Sequence, residues 1–575
     1  MRRSALTRVA LLLFLIVCAL AAATLIWLPP AAQPPVPAAF TYTWPVVRGA
    51  YHVHSDRSDG TGTLDEIAEA AGAAGLQFVI VTDHGNGTRE PEPPAYRSGV
   101  LSLDGVEIST QSGHYVALGL ARTPYPLAGH PRAVIEDVRR LGGFGFAAHP
   151  GSPKAALRWD DWDAPFDGLE WLNADSEWRD EFWGSLGRVL LTYPFRPAET
   201  LAGVLDRPEP VLAQWDRLTG VRRVAVMAGA DAHARLGLGR GVDPYEDRIV
   251  AEVPAYEVSF RAFVNHVLLD EALTGDAVRD ASLVLSAIRE GRTFTSVDGL
   301  AGVSAFEAKA ISGPGSARIG EYLDVQGPVV IDARLAAPPG TTLVVRRNGE
   351  VLYEVMSDSL RLDIGGMPGV YRVEAHLPPA LRGSASVPWV LANPIYVGVR
   401  DAHLRAAARA SQGTPISARA PIATPAWRPE ASDGSTSALT PGTLADGTPV
   451  VAWRFSLREG ERRDQYAAVL FPVAGSLAAY DRVQLRLQAD SPRRVWAQLR
   501  APGSRGGERW GATFYVDNNL RSVELRFADF RPLGPVSSEQ PPLDRIDSLL
   551  LVVDILNSMP GAVGTLSISD LWLAR

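Results

Sequence analysis

Short apolar segments that end in histidine or acidic residues recur through the first half of the chain, and this pattern constrains the fold most. Six of the ten histidines belong to it. Ligands from many strand ends converge when those strands form a barrel, so the pattern predicts a β/α barrel with a polar centre. The histidine-bearing patches are Tyr51-His52-Val53-His54, Thr82-Asp83-His84, Gly113-His114-Tyr115, Ala148-His149-Pro150 and Asp231-Ala232-His233.

From residue 46 to about residue 300, predicted strands alternate with predicted helices. Strand 46–54 precedes the capping box Thr63-Leu64-Asp65-Glu66, where a helix should begin, and the next buried strand should span 78–82. Strands that are separated by helices predict a parallel sheet, and this number of them favours a barrel. A mostly helical insertion is predicted at residues 176–221. Further strands are predicted at 100–108, 115–120, 144–148, 168–172 and 224–228.

The ligand-type residues at these strand ends predict a polynuclear metal site. Each one alone has an ordinary interpretation: His52 and His54 could face solvent, Asp59 before Gly60 could be a turn residue, and a single core histidine is usually hydrogen-bonded. Together they form the His and carboxylate ligand set of a hydrolytic site for two or three Zn, Mn or Fe ions. The nine candidates are His52, His54, Asp59, His84, Glu107, His114, His149, Asp231 and His233.

These motifs, in this order, resemble the polymerase-and-histidinol-phosphatase (PHP) family over roughly residues 46–300. The resemblance implies a distorted seven-stranded β/α barrel that binds up to three metals. Residues 388–396, Pro-Trp-Val-Leu-Ala-Asn-Pro-Ile-Tyr, are similar to the carbaryl-hydrolase-like branch of that family. By resemblance, His52, His54, Glu107 and Asp231 would hold one metal, Glu107 would bridge to a second on His114 and His149, and Asp59, His84 and His233 would hold the third.

Such a site predicts a phosphoesterase in which a metal-bound hydroxide is the nucleophile and Glu107 and Asp231 are the catalytic carboxylates. Arg57, Lys154 and Arg235 lie in loops beside ligands and could bind substrate phosphate, although each could equally be a solvated surface charge. Two alternatives stay open. Metal hydroxide also attacks carbonyl carbon, so the chain could hydrolyse aryl esters or carbamates, or it could be a non-catalytic, metal-bearing surface-binding protein.

The amino terminus predicts a membrane anchor. A basic tail at 1–8 precedes the uncharged apolar run 9–28, which is long enough to cross a bilayer, and a Pro-rich spacer follows at 29–45. The basic flank predicts that the rest of the chain is extracytoplasmic. A cleaved signal peptide, which would leave a secreted or periplasmic protein, and a buried core helix are the other interpretations.

The second half of the chain predicts all-β domains. The alternating runs in 301–400 predict a small β-sandwich. Residues 401–430 predict a linker. Residues 431–575 predict a jelly roll whose pattern of strands is similar to that of carbohydrate-binding domains. Trp496 and Trp510 could stack on a sugar ring in a polysaccharide, or could belong to the core. Core tryptophans are the commoner case.

Overall composition excludes some functions. The net charge of −8 over 575 residues argues against a nucleic-acid-binding surface. The expected partners are a small phosphate ester or other ester at the metal site, the membrane through the N-terminal helix, and a polysaccharide as a candidate contact of the C-terminal domain. Cys18 in the apolar run is the only cysteine, so the remainder of the chain has no disulfides and no thiolate metal ligands. Taken together, the sequence predicts an N-terminal transmembrane helix, an α/β barrel and two β-sandwiches.

Overall fold

Parallel and antiparallel strands of the first 230 residues pair in a continuous series in the computed structural model. The structure describes residues 2–179, 183–238, 248–399, 418–422, 426–460, 464–473, 475–503 and 507–575. The helices are α1 (Arg2–Trp27), α2 (Leu64–Ala73), α3 (Pro131–Arg140), α4 (Ala174–Arg179), α5 (Trp183–Thr192), α6 (Pro197–Ala202), α7 (Glu209–Thr219), α8 (Tyr256–Ala262), α9 (Ala277–Arg289) and α10 (Pro379–Arg382).

The strands fall into an earlier and a later set. The earlier set is β1 (Val46–Val53), β2 (Phe78–Val81), β3 (His84–Gly85), β4 (Ala95–Arg97), β5 (Val100–Asp104), β6 (Val106–Thr110), β7 (Gly113–Leu118), β8 (Phe144–Ala147), β9 (Gly168–Asn173), β10 (Ala225–Gly229), β11 (Leu236–Leu238), β12 (Arg248–Ala251), β13 (Val264–Leu268), β14 (Thr293–Ser296), β15 (Phe306–Ser312), β16 (Gly315–Arg318), β17 (Tyr322–Leu323), β18 (Val329–Leu335), β19 (Thr342–Arg347), β20 (Glu350–Met356), β21 (Ser359–Asp363), β22 (Gly369–His376), β23 (Val390–Ala392) and β24 (Ile395–Val397). The later set is β25 (Arg419–Pro421), β26 (Arg428–Ala431), β27 (Thr436–Thr443), β28 (Pro449–Ser456), β29 (Tyr466–Pro472), β30 (Arg482–Ala489), β31 (Arg493–Ala501), β32 (Glu508–Val516), β33 (Arg521–Arg526), β34 (Arg531–Pro532), β35 (Ser548–Asp554) and β36 (Val563–Ala574).

Seven strand positions form a closed ring. β1, β2 and β5 pair in parallel, and β2 and β5 run on as β3 and β6, which also pair in parallel. β6, β7 and β8 pair antiparallel, and β8, β9 and β10 are again parallel. The ring closes where Ala230 N donates to Tyr51 O at 2.9 Å and His54 N donates to Ala232 O at 3.0 Å. All these strands therefore bring their ends to a common centre.

Local sequence explains how the ring is built. Thr63 Oγ1 accepts a hydrogen bond from Glu66 N at 3.3 Å, and Thr63 N donates to the Glu66 carboxylate at 2.8 Å, so α2 begins at the predicted capping box. The described part of the predicted insertion at 176–221 contains the helices α4 to α7. Buried apolar side chains pack the first unit, among them Tyr51, Ile80, Leu103, Val116, Phe146 and Met227.

The strands between residues 301 and 400 are more closely joined to the ring than predicted. β14 pairs with β13, which pairs with β1, and β14 also pairs with β23. Through these pairings β22, β23 and β24 belong to the same twelve-stranded sheet as β1, and only β15, β16, β18 and β21 form a sheet of their own. Alternation in a sequence predicts strands but does not identify their partners, which is why this continuity was not predicted.

The chain divides into two units. One comprises Met1–Gly85, Pro91–Leu120 and Val138–Ser411, and the other comprises Asn86–Glu90, Ala121–Asp137 and Gln412–Arg575. The fold is therefore mixed α/β with several β-sheets.

The second unit is built on two six-stranded sheets. Their strand orders are β27-β28-β36-β30-β33, with β25 beside β36, and β26-β29-β35-β31-β32-β34. Trp510 is fully buried in the core of this unit. Trp496 is 3% exposed and packs on the other face of its sheet, against Leu550 and Val552. Both tryptophans are therefore packing residues, which agrees with the commoner of the two interpretations.

Two other sequence predictions concern segments outside these cores. Of the predicted linker 401–430, residues 401–417 and 423–425 lie outside the described residues, while β25 pairs with β36 and β26 with β29. The predicted membrane span 9–28 coincides largely with α1. No helix in the part of the chain that the structure describes is long and apolar enough to cross a membrane, so the predicted transmembrane anchor lacks support.

Candidate metal centre

The ends of the ring strands bring all nine predicted ligands together. They come from seven places in the chain: β1 and the residue after it, the loop before α2, β3, β6, β7, the turn after β8, and the segment after β10. Their donor atoms form four overlapping groups, each within 4.8 Å, that include every predicted ligand. These groups are His54-Asp59-His84-His233, His52-His54-Glu107, His52-His149-Asp231 and His84-Glu107-His114.

Glu107 lies at the middle of the site and is 1% exposed. Its Oε2 lies 3.2 Å from Nε2 of His52 and 3.2 Å from Nε2 of His54. Its Oε1 lies 2.6 Å from Nδ1 of His114 and 2.9 Å from Nε2 of His149. One carboxylate therefore faces two sets of imidazole nitrogens, which is the arrangement of a bridging ligand.

The first set has the spacing of a metal site. Asp231 Oδ1 lies 3.5 Å from His52 Nε2 and 3.4 Å from His54 Nε2, close to the 3.2 Å that separates Glu107 Oε2 from each of the same two nitrogens. Four donors at zinc distances of about 2.0–2.1 Å in a tetrahedron lie about 3.3 Å apart. His54 Nε2 is also buried and has no hydrogen-bond partner among the described residues. The donor set therefore fits a divalent cation.

A further set surrounds Asp59. Its Oδ1 lies 3.2 Å from His233 Nε2 and 3.4 Å from His54 Nδ1, and its Oδ2 lies 3.7 Å from His84 Nε2. The other nitrogen of His84, Nδ1, lies 3.2 Å from Glu107 Oε2. His54 and His84 thus face two sets of donors each, and this differs from the strict division into three sites that the resemblance implies.

Several ligand histidines have their outer nitrogen occupied. His149 Nδ1 donates to Leu157 O at 3.1 Å, and His233 Nδ1 donates to Asp231 O at 2.8 Å. His52 Nδ1 donates to a carboxylate at 2.5 Å. A proton on Nδ1 leaves the lone pair of Nε2 directed at the centre, as a metal-binding histidine requires.

The backbone is strained at three ligands. His52, His149 and Asp231 have φ values of 63°, 29° and 44°, in the left-handed region that non-glycine residues seldom adopt. The pairing of β1 with β2 shifts register between Tyr51 and Val53, so β1 is irregular where simple alternation is expected from the sequence. Such strain persists where the surrounding structure over-determines it, most often at functional sites.

Burial and charge act against each other at the ligands. Burial would raise the pKa of Glu107, but the imidazoles of His52, His114 and His84 hold it well below its usual range. Burial likewise opposes the charge on His54, yet Asp231 and Glu107 raise its pKa to about 10. The carboxylates therefore need a nearby positive charge, which imidazolium provides in the protein alone and a metal cation can also provide.

Arg57 and Asp83 hold the loop that follows the first two histidines. Arg57 Nη2 donates to Asp104 Oδ1 at 2.7 Å, and Arg57 Nε donates to Asp83 Oδ2 at 2.9 Å. Ser55 N and Ser58 Oγ donate to Asp83 Oδ1 at 2.7 and 2.6 Å. The Arg57 guanidinium is thus engaged with carboxylates, and its predicted contact with substrate stays a prediction.

The two other predicted substrate-binding residues lie in different settings. Lys154 is exposed in the turn after His149. Arg235 Nη1 donates to the carbonyl oxygen of Asp59 at 3.3 Å, which places its guanidinium beside a ligand. Arg235 is therefore in direct contact with a predicted ligand residue.

Sequence reasoning missed two residues of the site, Glu170 and Asn173 in β9. Glu170 is 1% exposed and is the carboxylate that accepts the hydrogen bond from His52. A signal was available, because Glu170 is an acidic residue within the apolar strand Gly-Leu-Glu-Trp-Leu-Asn, and an unpaired charge is costly to bury.

No family model matches the chain. It is 33% identical over 121 residues to a 3',5'-nucleoside bisphosphate phosphatase of Chromobacterium violaceum, covering 19% of this chain and 42% of that protein. It is 32% identical over 111 residues to an uncharacterised protein of Methanocaldococcus jannaschii, covering 19% and 64%. The chain thus spans less than two thirds of these curated relatives.

Two solved structures align over larger shares of their own length. A two-domain protein of Bacteroides vulgatus, described as containing a predicted PHP-like metal-dependent phosphoesterase, covers 63% of this chain and 98% of its own at 12% identity and a TM-score of 0.27. A family 11 carbohydrate-binding module of Clostridium thermocellum covers 28% and 96% at 13% identity and a TM-score of 0.23. TM-scores this low do not establish a shared fold.

Proposed function

We propose that this chain is a metal-dependent phosphoesterase of PHP type that uses two or three divalent cations. The observation that carries the proposal is the position of Glu107, whose two oxygens face separate sets of imidazole nitrogens at 2.6 to 3.2 Å. A buried carboxylate in that position is suited to bridge two cations. A closed seven-stranded β/α barrel with this centre is the finer description of the fold that we propose.

Bound divalent ions would supply Lewis acidity toward a phosphoryl group and would lower the pKa of a coordinated water. The protein's own residues orient the donors. Asp231 directs Oδ1 toward His52 and His54, while its Oδ2 accepts a hydrogen bond from Asn173 at 3.2 Å. The barrel interior excludes water from this side, because His52 and His54 are fully buried.

Substrate would approach from the opposite side of the centre. The side chains of His84 and His233 are 24% and 22% exposed, whereas those of Glu107 and His52 are 1% or less. Arg235 lies beside Asp59 on this more open side, and we propose that its guanidinium contacts the substrate phosphate. Lys154 and Arg57 remain candidates for the same role.

A phosphate ester is the substrate class that the comparisons support. A relative that is named a nucleoside bisphosphate phosphatase matches part of this chain, and the His and carboxylate set provides the metal site that such hydrolysis needs. These two findings support an enzyme over a non-catalytic binding protein. The finer placement in the carbaryl-hydrolase-like branch, with hydrolysis of aryl esters or carbamates, has no such support and is the second outcome that the test must distinguish.

The test measures hydrolysis by the full chain loaded with Zn²⁺, Mn²⁺ or Fe²⁺. A 3',5'-bisphosphonucleoside, 4-nitrophenyl phosphate and 4-nitrophenyl acetate are offered, each with and without a chelator. We expect chelator-sensitive release of phosphate, loss of that activity in His149→Asn, and retention in His130→Asn, which changes a histidine outside the ligand groups. Turnover of the acetate alone would support the esterase, and turnover of none would contradict an enzyme.

Three further properties stay predictions. The chain is proposed to be exported, with the anchor at 9–28 or a cleaved signal there as the two routes, and protease accessibility in intact spheroplasts would test export. Polysaccharide contact by residues 431–575 would have to use surfaces other than the buried rings of Trp496 and Trp510. The domain limits given from sequence await limited proteolysis.

A further inference from the structure

Glu170 is a buried carboxylate that touches the metal centre without being one of its nine ligands. It accepts hydrogen bonds from His52 Nδ1 at 2.5 Å, from the backbone N–H of His149 at 2.7 Å and from Asn173 Nδ2 at 2.8 Å. A ligand on β1 and a ligand in the turn after β8 are thus joined through one side chain.

Asn173 adds a third ligand to this group. Its Nδ2, which carries two hydrogens, also donates to Asp231 Oδ2 at 3.2 Å. Its Oδ1 accepts a hydrogen bond from Ser176 N at 3.0 Å, and this contact fixes which end of the amide faces the carboxylates. The Oδ1 atom of Asp231 is thereby left to face His52 and His54.

The three ligands that Glu170 and Asn173 contact are also the three with left-handed backbone. His52, His149 and Asp231 have positive φ, and no other ligand does among the described residues. Such a conformation is unfavourable for a residue that carries a side chain, so it needs contacts that hold it in place. The hydrogen bonds of Glu170 and Asn173 are contacts of that kind.

The neighbouring strand leaves room for this carboxylate. Gly229 in β10 faces Glu170, and a Cβ atom at that position would lie 2.5 Å from Glu170 Cδ and 2.6 Å from its Oε1. Gly229 has an ordinary backbone conformation, because it is absent from the residues with positive φ. Its lack of a side chain is therefore explained by space for Glu170 and not by backbone strain.

From these contacts we infer that Glu170 and Asn173 form a clamp that positions His52, His149 and Asp231 and sets the metal affinity of the centre. The inference rests on the proposed metal site and names positioning residues within it. A carboxylate at position 170 accepts the Nδ1 proton of His52 and so keeps the Nε2 lone pair for metal. A glutamine there would present an N–H group to the same ring and would favour the tautomer that cannot bind metal through Nε2.

Glu170→Gln tests the clamp in the full chain, with metal binding as the readout. We expect about 10- to 100-fold weaker Zn²⁺ affinity in competition with a chromophoric chelator, which is the usual effect of losing a hydrogen-bond partner behind a ligand. The visible spectrum of the Co²⁺-loaded variant should also change, because ligand geometry changes. Glu177→Gln is the matched control, since Glu177 is buried and accepts a hydrogen bond from Asp206 N at 2.8 Å, yet is absent from the ligand groups.

Gly229→Ala is a second variant that leaves the charge and hydrogen-bonding groups of Glu170 intact. It should weaken Zn²⁺ binding because the new methyl group displaces the carboxylate, whereas Gly72→Ala should not, since a Cβ there meets nothing closer than 3.5 Å. Wild-type affinity in a folded Glu170→Gln or Gly229→Ala chain would overturn the clamp. Unfolding of both variants would also contradict it, by showing a role in folding. A wild-type chain that binds no metal would instead refute the proposed function.

Discussion

Buried charge is used in two different ways in this molecule, at the metal centre and in the second unit. In the second unit, Arg494 is 1% exposed and its Nε and Nη2 donate to the two carboxylate oxygens of Asp137 at 2.8 and 2.6 Å. Burial opposes the charge on Arg494, but Asp137 and Glu136 raise its pKa above the usual value. Here the protein satisfies its own buried charges with a complete set of hydrogen bonds.

At the metal centre the buried polar groups do not all have hydrogen-bond partners within the part of the protein that the structure describes. Three carboxylates and six imidazoles converge, and His54 Nε2 is buried 3.2 Å from Glu107 Oε2 without a hydrogen-bond partner of good geometry among the described residues. An incompletely satisfied buried group costs free energy unless something outside the chain completes it. The comparison teaches that burial of charge does not by itself identify a site, whereas converging donors that remain unsatisfied do.

The largest effect is expected from Glu107→Ala. Because Glu107 faces two sets of ligands, its loss should lower phosphoesterase kcat on the order of 10³-fold, as loss of a main electrostatic contribution does, and should reduce bound metal per chain. His114→Ala should lower kcat by a smaller factor than Glu107→Ala. Glu66→Ala, which changes an exposed helix-capping residue, should leave kcat unchanged. Near-native turnover of Glu107→Ala at saturating metal would show that Glu107 does not bridge.

Arg494→Ala, in the second unit, should lower the free energy of unfolding and leave the amount of bound metal unchanged. Removing one partner of a buried ion pair leaves Asp137 uncompensated, at a cost of about 3–5 kcal/mol. Urea unfolding should show this loss, and elemental analysis should show wild-type metal content. The double variant Arg494→Met with Asp137→Leu should recover most of the stability, because well-packed apolar residues often replace such pairs at little cost. If Arg494→Ala also lost bound metal, the proposed distinction between the second unit and the metal centre would be contradicted.

Chelation should affect the two regions unequally. A ligand that binds only the folded state at 100 times its Kd stabilises that state by about 2.7 kcal/mol, so removing metal should lower the melting temperature of the first unit. The transition of the second unit should stay where it is, since all nine ligands belong to the first unit. Differential scanning calorimetry before and after chelation, with re-addition of Zn²⁺, measures this. Equal shifts of both transitions would contradict the assignment.

Sequence alone predicts which side chains converge at the centre, but it does not predict the contacts that hold them there. Glu107 and His84 were predictable because a charged or polar residue at the end of an apolar strand is a local signal. The left-handed backbone of His52 and Asp231 was not, since neither residue is glycine and the strain depends on distant hydrogen bonds. The pairing of β23 with β14 and the place of residues 121–137 in the second unit were likewise unpredictable, because both depend on contacts between segments far apart in the chain.

The smallest expected effect concerns Asp554, a carboxyl group at the end of β35 in the second unit. Burial raises its pKa from 3.8 to about 6, although backbone N–H groups such as that of Leu556 oppose the rise. A folded-state pKa above the unfolded value means that the folded chain binds the extra proton between about pH 4 and pH 6. Stability from this group is therefore present below pH 4 and is lost as the pH rises through 6. The stability of Asp554→Asn relative to wild type should be about 2 kcal/mol greater at pH 7.5 than at pH 4, because the amide never ionises. Urea unfolding of both chains at the two pH values measures this, and a difference that does not change with pH would show that Asp554 ionises freely.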